Sequence, residues 1–162
     1  MSRRFALASD HAGLRVKEEA KAILCGMGHQ VLDFGTDSEA SVDYPDYARK
    51  AVEAVLGGRA EQAVLVCGSG VGMSIVANKF PGIRAALVAE PRAAEMCRKH
   101  NDANVLVLPG WRLERAEVAA ILEAWLRAEF EGGRHQRRVE KIGAIEREVR
   151  QATAGSPRSE ER

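Results

Sequence analysis

The stretch Ala63-Val64-Leu65-Val66-Cys67-Gly68-Ser69-Gly70-Val71-Gly72-Met73 decides the fold. Its first four residues are apolar and largely β-branched, the composition of a parallel strand covered on both faces. Three alternating glycines then lead into a helix from about Met73 to Lys79. Upstream, Phe5 to Ser9 reads as a buried strand, followed by the polar break Asp10-His11-Ala12-Gly13. A helix comes next, because Val16, Ala20, Ile23, Leu24 and Met27 recur at helical spacing. Val31 to Gly35 reads as a second strand, Thr36 to Tyr44 as a polar loop, and Pro45 as the first turn of a helix ending at Gly57-Gly58. Downstream, Arg84 to Ala89 and Asn104 to Leu108 are strands joined by a helix from Pro91 to about Lys99. This alternation predicts an α/β fold, a doubly wound parallel five-stranded sheet with helices on both faces and ligands at the C-terminal strand ends. Those ends carry Asp10-His11, Cys67 to Gly72, Glu90 and Pro109-Gly110.

Beyond the sheet, Val118, Ile121, Leu122, Trp125 and Leu126 define an amphipathic helix that breaks at Gly132-Gly133. A terminal helix follows with a narrow apolar stripe of Val139, Ile142, Ile145 and Val149. Detached by a Gly-Gly hinge, it is expected to pack on a partner subunit. Residues 1–150 are read as one domain and residues 151–162, which lack any large apolar group, as a disordered polar tail. Lys plus Arg number 24 against 23 for Asp plus Glu, so no net field draws in nucleic acid or an anionic membrane. No apolar run reaches the roughly 20 residues of a membrane span, and the opening MSRRFALASDHAG is too short in apolar residues for a signal peptide. Cys25, Cys67 and Cys97 form neither an even disulfide set nor a CxxC pair. The expected location is the cytoplasm.

Gly68, Gly70 and Gly72, directly after a buried strand, let backbone N–H groups crowd around an anion or oxyanion. The dinucleotide motif G-x-G-x-x-G would need glycine at position 73, which is Met73, and the P-loop pattern fails there too. Glu90, about 20 residues on at the next strand end, keeps nucleotide binding open as an alternative. Cys67 ends its strand facing a helix N-terminus, where dipole and free amides lower a thiol pKa; it is either a thiolate base or a small buried hydrophobe. His11, His100 and His135 adjoin loops expected to meet at one sheet edge, as proton carriers or phosphate ligands if not merely solvated. No His/Cys/Asp/Glu spacing matches a zinc or iron site, so metal-independent chemistry without a cofactor is expected. The run Gly133-Arg134-His135-Gln136-Arg137-Arg138 is either a solvated helix start or a phosphate clamp. Basic residues belong near a helix C-terminus, so placing them at the start calls for an anion.

Taken together these motifs resemble the type B ribose-5-phosphate isomerases, in the wider family that includes galactose-6-phosphate isomerase subunits. The resemblance runs from about Phe5 to Arg147 through Ser9 to Gly13, Asp43-Tyr44-Pro45, Cys67 to Gly72, Ala77-Asn78-Lys79, Arg84, His100-Asn101-Asp102 and Gly132 to Arg138. It implies an aldose–ketose isomerase acting on ribose 5-phosphate and ribulose 5-phosphate in a Rossmann-like homodimer, or a dimer of such dimers. By the same resemblance, Cys67 is the base, His100 opens the sugar ring with Asp10 assisting, and Ser69 and Asn101 with the amides of Gly68, Gly70 and Gly72 hold the enediolate. Tyr44 lines the sugar site. His11 and Arg112 of one subunit, with Arg134 and Arg138 of the other, take the phosphate. Part of the family carries a glutamate base one residue beyond the last loop glycine; here that position is Met73. Isomerases of other aldose phosphates (allose 6-phosphate, galactose 6-phosphate or a tetrose phosphate) are the nearest alternatives, and a non-catalytic sugar-phosphate-binding module a more distant one.

Overall fold

The computed structural model describes residues 2–154. Its strands are β1 (Arg4–Ser9), β2 (Gln30–Asp33), β3 (Gln62–Cys67), β4 (Ala85–Leu87) and β5 (Val105–Pro109). Its helices are α1 (Leu14–Gly26), α2 (Tyr44–Leu56), α3 (Val71–Ala77), α4 (Pro91–Asn101), α5 (Arg115–Arg127) and α6 (Arg134–Ala154), with one 3-10 turn at His11–Gly13. All strand pairings are parallel, in the order β2-β1-β3-β5-β4. The chain reverses its winding between β1 and β3, the place where doubly wound sheets open a crevice at their C-terminal ends.

Alternation along the strands builds two cores. Phe5, Leu7, Val64, Val66, Leu106 and Leu108 point to one face, against α1, α4 and α5. Ala6, Ala8, Ala63, Leu65, Cys67, Val105 and Val107 point to the other, against α2 and α3. All six residues of β3 are buried, as a central strand covered on both sides requires. Helix α5 starts with a capping box in which the Glu117 carboxylate accepts the Glu114 N–H at 2.8 Å. Lys17 on α1, 1% exposed, donates to both carboxylate oxygens of Asp33 at the end of β2, at 2.8 and 2.9 Å. Burial opposes charge on Asp33, but the hydrogen bonds from Lys17 and Lys21 and from the Gly35 N–H outweigh it, and the carboxyl sits below its ordinary range.

Helix α6 leaves Ile142, Ile145 and Val149 between 41 and 59% exposed. It runs four residues into the stretch read as a polar tail, through Ala154, where the Thr153 hydroxyl donates to the carbonyls of Val149 and Arg150. Alanine and glutamine favour continuation of a helix already under way. The rest of that tail lies outside the described residues. No described helix is long and apolar enough to cross a membrane.

Candidate active site

Three loops converge at the C-terminal ends of β1, β3 and β5. The Asp10 N–H donates to Val66 O at 3.3 Å, and the Asp10 carboxylate caps the 3-10 turn by accepting the Gly13 N–H at 2.9 Å. Gly13 fits where no side chain could, since a Cβ there would stand 2.6 Å from Val66 O. The turn is thereby folded onto the end of β3, and Asp10 and His11 come beside Cys67. His11 Nδ1 accepts the Val42 N–H at 3.2 Å, which places the proton of the neutral ring on Nε2.

Cys67 is the last residue of β3, 4% exposed. The loop after it is held from both sides. Gly110 N–H donates to Cys67 O at 2.9 Å and Trp111 N–H to Gly68 O at 3.0 Å, so the β5 loop is zipped to the β3 loop. Gly70 has φ +78, and a Cβ on it would meet Leu87 at 2.4 Å. Gly68 packs under the Trp111 indole and Gly72 beside the Tyr44 ring. Ser69 is exposed, its hydroxyl accepting the Val71 N–H at 3.3 Å, and Arg112 extends into solvent beside the loop. Asp10, His11, Tyr44, Cys67, Gly68, Ser69, Gly70, Gly72 and Arg112 therefore share one edge of the sheet.

His100, Asn101, Arg134 and Arg138 do not. A helix joining two parallel strands must carry the chain back to the edge where strands begin, and α4 ends there with His100 and Asn101. Asn104, three residues past Asn101, accepts the Ala63 N–H with its carbonyl at the start of β3. The four residue steps from Ala63 to Cys67 span about 13 Å of strand. The expectation that His11, His100 and His135 meet at one edge is thus corrected: His11 stands at one end and the other two at the opposite end. There the rings of His100 and His135 stack with centroids 4.2 Å apart and planes 3° from parallel. His135 Nε2 accepts from Arg134 Nε at 3.3 Å. Burial, then the charges of neighbouring His100, Arg134 and Arg138, push the His135 imidazole below its ordinary range.

Sequence spacing hid one feature of this end. Glu131 brings an oxygen to 3.9 Å from His100 Nε2 and 3.7 Å from His135 Nε2, and donor atoms of the three residues all lie within 4.8 Å of one another. Arg134 Nε already donates to His135 Nε2, and the positive charges of Arg134 and Arg138 beside the set disfavour a cation there. Sequence reading also missed a clamp behind His100. Arg84 Nε donates to the carbonyls of Asn101 and Asp102, each at 2.9 Å, and its Nη2 to the Asp102 carboxylate at 2.7 Å. Arg98 holds the other Asp102 oxygen at 2.9 Å, and Asp102 itself sits at φ +48. Of the other thiols, Cys97 is pushed up to about 11 by burial in the core and Cys25 lies exposed on α1.

One edge thus holds the buried Cys67 thiol beside a glycine loop and the other an imidazole pair with arginines. The family model described as Ribose/Galactose Isomerase matches residues 5–142. The chain is 49% identical over 145 residues to ribose-5-phosphate isomerase B of Escherichia coli, covering 89% of this chain and 97% of that one. Among solved structures, ribose-5-phosphate isomerase B of Clostridium thermocellum superposes with a TM-score of 0.88 at 45% identity, over 90% of this chain and 99% of that one. The Mycoplasma genitalium ribose-5-phosphate isomerase B, solved with bound ribulose-5-phosphate, gives 0.85 at 39% identity, over 91% and 99%.

Proposed function

The chain belongs to the ribose/galactose isomerase family, and on that premise we propose that it interconverts D-ribose 5-phosphate and D-ribulose 5-phosphate in a site assembled from two copies of the chain. The observation that carries the reading is Cys67 at the end of a buried strand, with a glycine loop and Asp10 packed against it. His100 of the partner subunit opens the furanose ring by moving a proton between the ring oxygen and the C1 hydroxyl, with Asp10 assisting. The Cys67 thiolate removes the proton on C2, the double bond shifts to C1–C2, and the O2 proton passes to O1. The resulting enediolate collapses to the ketose as the same sulfur returns its proton to C1.

Charge developing on the oxygens falls on the amides of Gly68, Gly70 and Gly72, with Ser69 and the partner subunit's Asn101 as further polar contacts. A well-placed donor of this kind is worth on the order of 3 kcal/mol in the transition state. Tyr44 bounds the sugar. His11 and Arg112 hold the phosphate on one side, and Arg134 and Arg138 of the partner subunit on the other. Two chains are supported by the separation of the half-sites along the sheet and by the apolar stripe of α6. None of these steps calls on a cofactor or a metal.

A coupled assay on ribose 5-phosphate with and without EDTA, run beside Cys67→Ala, tests the reading. Turnover that survives EDTA and vanishes in the variant is expected. Turnover of allose 6-phosphate, galactose 6-phosphate or a tetrose phosphate in preference to ribose 5-phosphate would move the assignment within the family. Binding of sugar phosphates with no turnover of any would make the chain a binding module.

A further inference from the structure

Trp111 is 76% exposed, whereas the chain's other tryptophan, Trp125, is 1% exposed. An exposed indole offers a flat apolar face with a polar N–H at one edge. It is nevertheless held in place. Its N–H backbone bond to Gly68 O fixes one end, and the indole lies so close over Gly68 that a Cβ there would stand 2.3 Å from Cε2 and 2.8 Å from Nε1. Gly68 follows Cys67 directly, and Arg112 follows Trp111. The indole thus covers the residue next to the proposed base and belongs to the residue next to an arginine assigned above to the phosphate.

We propose that Trp111 is a specificity-determining residue: its indole stacks on the C–H face of the sugar between Cys67 and Arg112 and limits the chain to five carbons. The proposal rests on the isomerase reading above and adds to it a reason for substrate length. The hydrogen bonds zipping the two loops hold the backbones of Cys67 and Arg112 in a fixed relation, so a sixth carbon has to bulge sideways. On the Trp111 side it meets the indole held over Gly68. Tyr44 and Leu87, 38 and 40% exposed, wall the loop at Gly72 and Gly70 in the same way, but neither adjoins both the base and a phosphate ligand in sequence.

The test compares wild type, Trp111→Ala and Trp111→Phe on ribose 5-phosphate and allose 6-phosphate, with ribitol 5-phosphate, which has no carbonyl to isomerise, as a binding probe. For Trp111→Ala the KM for ribose 5-phosphate is expected to rise about tenfold with kcat within about twofold, the scale of one apolar contact in a pocket. The ratio of kcat/KM for the six-carbon over the five-carbon substrate should rise by about tenfold or more, and Trp111→Phe should stay near wild type. Ribitol 5-phosphate should shift the tryptophan fluorescence of wild type and leave that of Trp111→Phe, which retains only buried Trp125, unchanged. An unchanged substrate ratio, or a wild-type fluorescence indifferent to ribitol 5-phosphate, overturns the proposal. So does a Trp111→Ala protein that sediments as a smaller species than wild type, which would make the indole a subunit contact. If wild type isomerises no sugar phosphate, the functional reading fails, and the fluorescence titration alone still decides whether the indole meets the ligand.

Discussion

Truncating Cys67 to alanine should abolish isomerisation while leaving the fold and phosphate binding nearly intact, and serine at 67 should be almost as poor, since an alkoxide is not available near neutral pH. Cys25→Ser and Cys97→Ser should keep turnover; steady-state rates of the four proteins check this, and loss in either control with retention in Cys67→Ala would reassign the base. His100→Asn is expected to change how the rate depends on enzyme concentration. From ribose 5-phosphate the rate should level off as enzyme is added, because spontaneous ring opening in solution becomes limiting. From ribulose 5-phosphate, which is already open, it should keep rising in proportion; a plateau in neither direction would remove His100 from ring opening. Asp33 matters for stability instead. Asp33→Ala leaves the buried Lys17 ammonium without its main partner and should cost about 3 kcal/mol in a urea melt, whereas Lys17→Met, which removes the buried charge, should cost less. At this scale the sequence was most legible where chemistry is written in one residue and its immediate neighbours, as at Cys67 and its glycines. Trp111 was visible only as a large residue in a loop, because what it covers, Gly68, lies on another strand's loop 43 positions away.

Among the elements, the strands and helices were legible because parallel strands are short and uniformly apolar and helices carry their own period; the central strand, read from Ala63 and ending at Cys67, needed only Gln62 added at its start. The direction of α4 was also implicit in that alternation. What misled was treating residues with related chemistry, His11 and His100, as neighbours, when a crossover helix necessarily separates the two ends of the strands it links. Glu131 and the Arg84–Asp102–Arg98 clamp were not legible, since each depends on side chains meeting across elements. The clamp should act through His100. Arg84→Gln is expected to reproduce, in weaker form, the rate plateau of His100→Asn, and Arg84→Lys to recover less than half of the loss because a single ammonium cannot serve two carbonyls and a carboxylate together. Proportional loss in both directions, with a lowered melting temperature, would make the clamp merely structural. At the start of α6, His135 is held below its ordinary titration range by burial and by His100, Arg134 and Arg138, opposed by Glu131. The unfolded chain then binds the proton more readily, so stability present above about pH 6.5 is lost as pH falls below it. His135→Gln should show a smaller drop in melting temperature between pH 7 and pH 5.5 than wild type; an equal or larger drop would place the pH dependence elsewhere.

For the whole molecule, the separation of the half-sites dictates which impaired variants can rescue each other, read from ribose 5-phosphate at enzyme concentrations where His100→Asn has reached its plateau. Cys67→Ala and His100→Asn, unfolded together in equal amounts and refolded, should form about half heterodimers by statistical mixing. In each heterodimer one site collects both defects and the other none, so about a quarter of all sites regain wild-type chemistry. His100→Asn mixed with Arg134→Ala/Arg138→Ala should regain nothing, because those residues travel on the same end of the same chain and every site keeps one defect. Rescue in the second mixture, or none in the first with heterodimers verified by mass, would refute the two-chain site. The stretch of strand between Ala63 and Cys67 carries a further consequence for the kinetics of dilute protein. Since one chain holds the thiol at one end of its sheet and the imidazole at the other, a lone copy has nothing with which to complete either half. Specific activity should therefore decline on serial dilution, the rate itself approaching second order in protein once most chains are apart, and should return on concentration without refolding. The isomerisation rate is in that sense a direct readout of association, and its half-maximal point a dissociation constant measured without any label.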